Sequence, residues 1–333
     1  MWGEEMQEEK LFFKEEIANV TSTLSAKKTE ADLMFVVVAD SHLDDYEEDT
    51  LSNIRAVDSS LHFDFVVHLG DFLNGNLPGK YTESLLNEEM KKYRSATANG
   101  IFYPVQGNHD GYCKDTKNKT ITDIVLDENW HAATSFVDKY PHLKGDVDNP
   151  WYYVDYPDQK VRLIILCSFS YEWDENGEFR KLYKLAPAQI DWLREKALAL
   201  EEDWTVMLFS HDGPLKYYDQ TKYEEELWDC NNQELMNTLL HAKEAKSFSV
   251  AAWFIGHWHG DLCQIVEGIP FVIVGSQTCY IPQLWQMPDS GHYEMRERGT
   301  VSQDIWDAAI LNRAKRELYL CRFGAGVDRV IHY

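Results

Sequence analysis

Five short stretches of this 333-residue chain end an apolar run with residues able to bind a cation. "LMFVVVA" is followed by Asp40-Ser41-His42, "FDFVVHL" by Gly70-Asp71, and "IFYPVQ" by Gly107-Asn108-His109-Asp110. "WTVMLF" is followed by Ser210-His211-Asp212, and "SVAAWFI" by Gly256-His257-Trp258-His259. These residues offer the nitrogen and oxygen donors that suit divalent metals, and none of the five ends carries Cys. Asp40 and His42, like His257 and His259, are two residues apart, a spacing that in extended backbone turns both side chains to one side. Asp40, His42, Asp71, Asn108, His211, His257 and His259 make seven donors. That is too many for one tetrahedral ion and suits two ions sharing a carboxylate, which lie about 3.5–4 Å apart in two-metal hydrolytic sites. Taken singly the stretches are weak: "GNHD" is ordinary turn composition, and "GHWH" serves equally in an aromatic hairpin or a mononuclear site. Their recurrence at successive strand ends favours the metal centre.

The elements that must position these residues form an α/β pattern, with β-branched and aromatic runs alternating with helical stretches. Strands are expected at 33–39, 63–69, 101–105, 151–156, 161–167, 204–209, 249–255, 271–275, 305–311 and 317–323. Helices are expected at 47–60, 81–98, 120–139, 186–201 and 231–245. The late strands follow one another without helices, which predicts antiparallel hairpins and, with the earlier half, a two-sheet sandwich flanked by helices. Sites in such sheets assemble at the carboxyl ends of strands. Gly70, Gly107 and Gly256 are expected there because the backbone must turn sharply. His68 sits inside a strand and reads as a buried residue. His62, His131, His142, His241, His292 and His332 lack a comparable setting.

In order along residues 40–259, "DSH", "GD", "GNHD", "SHD" and "GHWH" resemble the motifs of the calcineurin-like metallophosphoesterase superfamily: D-x-H, G-D, G-N-H-[DE], H and G-H-x-H. The resemblance implies a four-layer α/β/β/α sandwich of two mixed β-sheets flanked by helices, the metallo-dependent phosphatase fold, with a dinuclear centre. It implies that Asp40, His42 and His259 hold one ion, that Asn108, His211 and His257 hold the other, and that Asp71 bridges them. His109 is implied as the acid that protonates the leaving oxygen, and Asn108 and His109 as residues touching the substrate. A phosphate ester held across two cations has its charge neutralised, and water on them becomes hydroxide near neutral pH, placed for attack on phosphorus. A neighbouring imidazole then donates the proton that the departing alkoxide needs. The expected activity is dinuclear-metal-dependent hydrolysis of phosphoric esters, with Mn, Fe or Zn as the ions.

Departures from the superfamily patterns narrow the activity. The segment "GDFLNGN" lacks the arginine that follows the bridging aspartate in protein Ser/Thr phosphatases, and lacks the tyrosine of purple acid phosphatases. The single acid His109 and the missing arginine tilt the reading from monoester towards diester. Asn74 stands where many relatives carry an acid, which leaves Asp110 as the nearest candidate to orient His109.

Composition sets the outer limits. A formal charge of −24 repels nucleic acid and anionic membrane surface, so a small phosphoester is the expected substrate, with no long nucleic acid or membrane partner. A nuclease on short oligonucleotides and a non-catalytic binding scaffold are the alternatives. The 6 cysteines are scattered without CxxC spacing and read as free thiols of a cytoplasmic protein. Residues 1–30 read as an amphipathic helical extension with Leu11, Phe12, Ile17 and Val20 inward. Residues 31–333 read as one domain with substrate-loop insertions at about 111–150, 212–230 and 278–300, the last two rich in aromatics. The ending "RFGAGVDR" resembles the C-terminal part of metallophosphoesterases of Gram-positive bacteria and their phages.

Overall fold

The run "LMFVVV" is buried at every position. This marks a central strand covered on both faces, where alternation of polar residues has no place. In the computed structural model, which describes residues 11–29, 32–76, 79–114, 121–124, 127–140, 143–144, 149–173, 175, 179–182, 184–214, 232–278, 283–287 and 293–333, that run is β1 (Leu33–Val38). The strands that matter for the site follow in chain order: β2 (Phe65–His68), β3 (Phe102–Pro104), β4 (Tyr152–Tyr156), β5 (Val161–Ile165) and β6 (Thr205–Ser210). They continue with β7 (Ser249–Ile255), β8 (Gly260–Val266), β9 (Ile269–Ile273), β10 (Ile305–Asn312), β11 (Glu317–Gly324) and β12 (Arg329–His332).

Among the described residues two mixed sheets form the centre. One has the order β12-β11-β10-β1-β2-β3, with β1, β2 and β3 parallel and β10 to β12 antiparallel. The other runs from Tyr293–Met295 and Gln283–Met287 through β8, β9, β7, β6, β5 and β4 to Leu143–Lys144, with β5, β6, β7 and β9 parallel. Phe35 of the first sheet stacks on Phe65 and meets Phe209 and Phe254 of the second edge-on, so aromatic rings fill the space between the sheets. Helices α1 (Lys14–Lys27), α2 (Glu47–Leu61) and α3 (Gly79–Arg94) cover the first sheet through Val20, Leu24, Ile54, Val57, Leu86 and Met90. Helix α4 (Asp127–Thr134) follows α3, while α5 (Pro187–Trp192) and α6 (Asn232–Lys246) cover the second sheet with Trp192, Leu235 and Leu239. The four-layer sandwich expected from the sequence is the fold.

Several local readings need correction. Residues 120–139 were expected to be one helix, but Ile121–Ile124 is a strand and α4 gives way to the 3₁₀ turn Ser135–Lys139. The β-branched run "ITDI" accounts for the strand. Strand β8 opens with Gly260 and Asp261, β12 follows "GAGVD", and neither was expected. In the N-terminal segment Phe13, Val20 and Leu24 are the buried residues, with Phe12 and Ile17 packed beside them, while the Leu11 side chain lies outside the described residues. Cys167, Cys263 and Cys321 are free thiols, and no described helix is long and apolar enough to cross a membrane.

One buried pair has a pH signature. Glu47, at the start of α2, and Glu89, on α3, are both buried, and Lys92 Nζ reaches them at 2.9 and 2.6 Å. Burial, and then the neighbouring Glu47 charge, push the Glu89 carboxyl from 4.5 up to about 8. The folded protein therefore keeps a proton that the unfolded chain has already released, so stability falls as pH rises across that window. Glu89→Gln removes the titration. Its melting temperature should match wild type near pH 5 and exceed it by a few degrees above about pH 8, on the order of 1 kcal/mol. Thermal melts across that range check this, and a variant less stable than wild type at the alkaline end contradicts it.

Candidate metal centre

The carboxyl ends of β1, β2, β3, β6 and β7 deliver all eight residues singled out in the sequence to one place. The loops after β2 and β3 touch backbone to backbone. A Cβ on Gly107 would lie 2.0 Å from the Asp71 nitrogen and 2.3 Å from Asp71 Oδ1, and one on Gly70, which has φ +98°, would lie 2.5 Å from the Gly107 nitrogen. Glycine at 107 thus serves close approach as well as the turn that its carbonyl closes with the Asp110 amide at 3.2 Å, and at Gly256, whose carbonyl accepts the Trp258 amide at 2.7 Å, a Cβ would press Asp40 Oδ2 at 3.0 Å.

The ligand backbone itself departs from expectation. Asp40, His42, Asp71, His257 and His259 have φ of 55°, 49°, 59°, 65° and 52°. The paired residues converge through left-handed backbone and not through the extended alternation that a two-residue spacing suggests. Each such residue costs roughly 1–2 kcal/mol, strain that native proteins concentrate at functional sites.

Two groups of donor atoms result. In the first, His259 Nε2 lies 3.1 Å from His42 Nε2 and 3.4 Å from Asp40 Oδ1, and His42 Nε2 lies 3.8 Å from Asp71 Oδ2. In the second, His211 Nε2 lies 3.1 Å from Asp71 Oδ2, 3.1 Å from Asn108 Oδ1 and 3.3 Å from His257 Nδ1. Asp71 lies between the two, grouped with His42 and His109 on one side and with His211 and His257 on the other.

Hydrogen bonds on the far side of two rings decide what the near side can offer. His42 Nδ1 donates to the Leu73 carbonyl at 3.1 Å and His211 Nδ1 to the Leu69 carbonyl at 2.7 Å. Each neutral ring then presents a bare Nε2 lone pair, as metal-binding histidines do. Those lone pairs face carboxylate oxygens, an amide oxygen and other imidazoles, so acceptor faces acceptor and only a proton or a cation reconciles them. The electrostatics agree. Burial pulls the His211 imidazole down, yet the Asp71 and Asp40 carboxylates beside it push it up to about 9. Burial opposes ionisation of Asp71, but the surrounding His211 and His109 hold its carboxyl well below the usual range. The residues present fit divalent metal ions.

The sequence profile of the calcineurin-like phosphoesterase family matches residues 33–261. The chain belongs to this family. It is a metal-dependent phosphoesterase. A dimetal phosphatase from Danio rerio shares its fold at 15% identity with a TM-score of 0.57, over 90% of this chain and 99% of that one. The phosphopantetheinyl hydrolase of Mycobacterium tuberculosis aligns at 14% identity with a TM-score of 0.41, over 74% of this chain and 91% of that one. No curated protein sequence matches the chain.

In this phosphoesterase His109 stands at the rim, with its side chain 35% exposed and Nε2 3.8 Å from Asp71 Oδ2. Its Nδ1 donates to the backbone carbonyl of Asn74 at 2.9 Å. Asp110, the candidate suggested by adjacency, does not orient it. The buried Asp110 carboxylate instead accepts the backbone amides of Asp71, Leu73 and Gly107 at 2.9, 3.0 and 2.9 Å, tying the loops after β2 and β3 together. Gly75 completes the seat for the histidine: it has φ +63°, and a Cβ there would meet His109 Nδ1 at 2.8 Å. His68 is fully buried; its Nε2 donates to Ser41 Oγ at 3.2 Å, and its Nδ1 accepts the Gly70 amide at 3.1 Å.

Residues not singled out as ligands also build the site. Phe169, beyond the end of β5, packs on the rings of His211 and His257 with centroids 5.6 and 6.2 Å away. Trp258 Nε1 donates to Asp212 Oδ1 at 3.1 Å, joining the loops after β6 and β7. Past β9, Ser276 Oγ donates to the Asp40 carbonyl at 2.9 Å, and the buried Arg296 donates to the carbonyls of Ser276, Gln277 and Thr278.

Proposed function

We propose that this phosphoesterase hydrolyses small phosphoric esters, diesters in preference to monoesters, at a centre of two divalent ions with His109 as general acid. The observation that carries the reading is the Asp71 carboxylate between two donor groups, 3.8 Å from His42 Nε2 and 3.1 Å from His211 Nε2. Asp40, His42, His259 and Asp71 would hold one ion, and Asp71, Asn108, His211 and His257 the other. When bound, such ions neutralise phosphoryl charge and acidify a water at neutral pH. The remaining work falls to the chain. His109, its Nδ1 fixed on the Asn74 carbonyl, keeps Nε2 as the position that carries a proton to the leaving oxygen. Asn108, with Oδ1 towards His211, offers its Nδ2 as a donor to a phosphoryl oxygen. Phe169 walls the second donor group against water.

The segment "GDFLNGN" after the bridging position carries no arginine to clamp the second charge of a monoester. This supports the diester. The insertions at about 111–150, 212–230 and 278–300 would shape the pocket. Tyr217, Tyr218, Trp228 and Tyr280 lie outside the described residues, as do the side chains of Tyr112, Lys114, Trp285 and Tyr293.

The test is hydrolysis of bis-p-nitrophenyl phosphate and p-nitrophenyl phosphate by chelator-stripped protein, with Mn, Fe or Zn restored. Metal-dependent turnover with a higher kcat/KM on the diester is expected. Higher kcat/KM on the monoester overturns the diester preference, and release of nucleotides from oligomers without turnover of either ester would favour a nuclease.

A further inference from the structure

The ending "RFGAGVDR" has no part in the centre described above, yet its two arginines reach the strand that leaves the Gly-His-Trp-His loop. Asp261, two residues beyond His259 on β8, accepts Arg322 Nη2 at 2.9 Å and Arg329 Nη1 at 2.7 Å. Asp307 on β10 accepts Arg322 Nε at 2.9 Å and Arg322 Nη2 at 3.1 Å, and also pairs with Arg329 Nη2. The fourth contact of Arg322 is the Ala325 carbonyl, at 2.9 Å from Nη1. Two acids and two arginines thus form a closed set of fork-shaped contacts, with Arg322, Asp261 and Asp307 all buried.

Gly326 of the motif is dictated by the same set, and Gly324 by the backbone just before β10. Gly326 has φ +102°, and a Cβ there would lie 2.5 Å from Arg322 Nη1 and 3.1 Å from Asp261 Oδ2. Gly324 has φ +85° and packs against the Asp304 carbonyl.

The place of this set matters as much as its content. Asp307 pairs in register with Val37 of β1, three residues before Asp40, and with Arg322 of β11. Asp261 belongs to the other sheet. The set therefore joins the strand that delivers Asp40 to the strand that leaves His259. His259 needs such a fixture. His42 and His211 are each oriented by a carbonyl on the far ring nitrogen, whereas His259 Nδ1 is buried without a hydrogen-bond partner among the described residues. Its backbone, like that of His257, is left-handed.

We propose that Arg322 and Arg329, acting through Asp261, are positioning residues for His259, and that they set the affinity of the ion held by Asp40, His42 and His259 without touching it. The proposal rests on the dinuclear reading of the site. Full-length wild type, Asp261→Asn, Arg329→Gln and Asp304→Asn, all chelator-stripped, are titrated with Mn²⁺ by calorimetry and melted in parallel. Asp304 is the control: it is buried at the start of β10 and held by Thr50 and Asn53 of α2, without contact to Asp261. Wild type should bind two ions. Asp261→Asn and Arg329→Gln should weaken one of them on the order of 10–100-fold, as loss of partners behind metal ligands does, and leave the other unchanged. Asp304→Asn should lower the melting temperature with both affinities intact. Arg329 is 11% exposed on the edge strand β12, so its variant carries the test if Asp261→Asn does not fold. Both ions bound with wild-type affinity in the two clamp variants, or both affinities falling in step with melting temperature in all three variants, overturns the proposal. Fewer than two ions in wild type overturns the dinuclear reading instead, and the proposal with it.

Discussion

Asp71→Asn is expected to abolish metal-dependent hydrolysis while leaving the metal-free protein as stable as wild type. The two oxygens of Asp71 have separate tasks. Oδ1 accepts the His109 backbone amide at 2.7 Å, which an asparagine oxygen does equally well. Oδ2 lies 3.1 Å from His211 Nε2 and 3.8 Å from His42 Nε2, where the bridging charge is needed. An amide NH₂ at that point would donate to the lone pair of His211 and satisfy the empty site with no ion at all. The loss in kcat/KM should be at least roughly 10³-fold, about 4 kcal/mol, because the shared anion fixes both ions. Melting with and without Mn²⁺ separates the two effects: wild type gains stability from the ion and the variant should not. A variant that still gains stability from two ions and turns over at a tenth of the wild-type rate would remove Asp71 from the bridging position.

The second large effect is expected at His109. Because the His109 side chain is one-third exposed and its Nδ1 donates to loop backbone, its replacement by Ala should leave folding and metal binding intact. A general acid matters in proportion to the basicity of the leaving group. For a diester with an alkoxide or simple phenoxide leaving group, kcat should fall about 10²–10⁴-fold. For a p-nitrophenoxide leaving group, which departs without help, the loss should be far smaller. Measuring both esters on the same preparation gives the decisive ratio. Equal losses on both would mean that His109 positions substrate or metal and does not deliver the proton.

How much of this was legible in the sequence follows from what kind of atom does each task. Every ligand candidate is a His, Asp or Asn placed after an apolar run, and the recurrence of that pattern at five strand ends exposed it. The sandwich was legible for the same reason, since uniformly buried runs such as "LMFVVV" and "SVAAWFI" have few other uses. What the sequence hid is done by backbone or by residues of no distinctive chemistry. The Asn74 carbonyl orients His109, and a carbonyl belongs to every residue. Gly107 permits two loops to touch, which resembles an ordinary turn glycine until both loops are in place. The left-handed backbone at Asp40, His42, Asp71, His257 and His259 has no signature in those residue types. Phe169 follows a core strand just as the ligands do, but a phenyl ring there reads as packing. Strand β8 was missed because "GDLCQIV" opens with a glycine and an acid, and the same acid turns out to hold two arginines from more than 60 residues away.

The measurement closest to the central claim is anomalous diffraction from crystals of the full chain loaded with Mn²⁺. Two peaks about 3.5–4 Å apart are predicted, one among Asp40, His42 and His259, the other among Asn108, His211 and His257, with the Asp71 carboxylate between them. A single peak, or two peaks that Asp71 does not join, would contradict the dinuclear centre and the mechanism built on it.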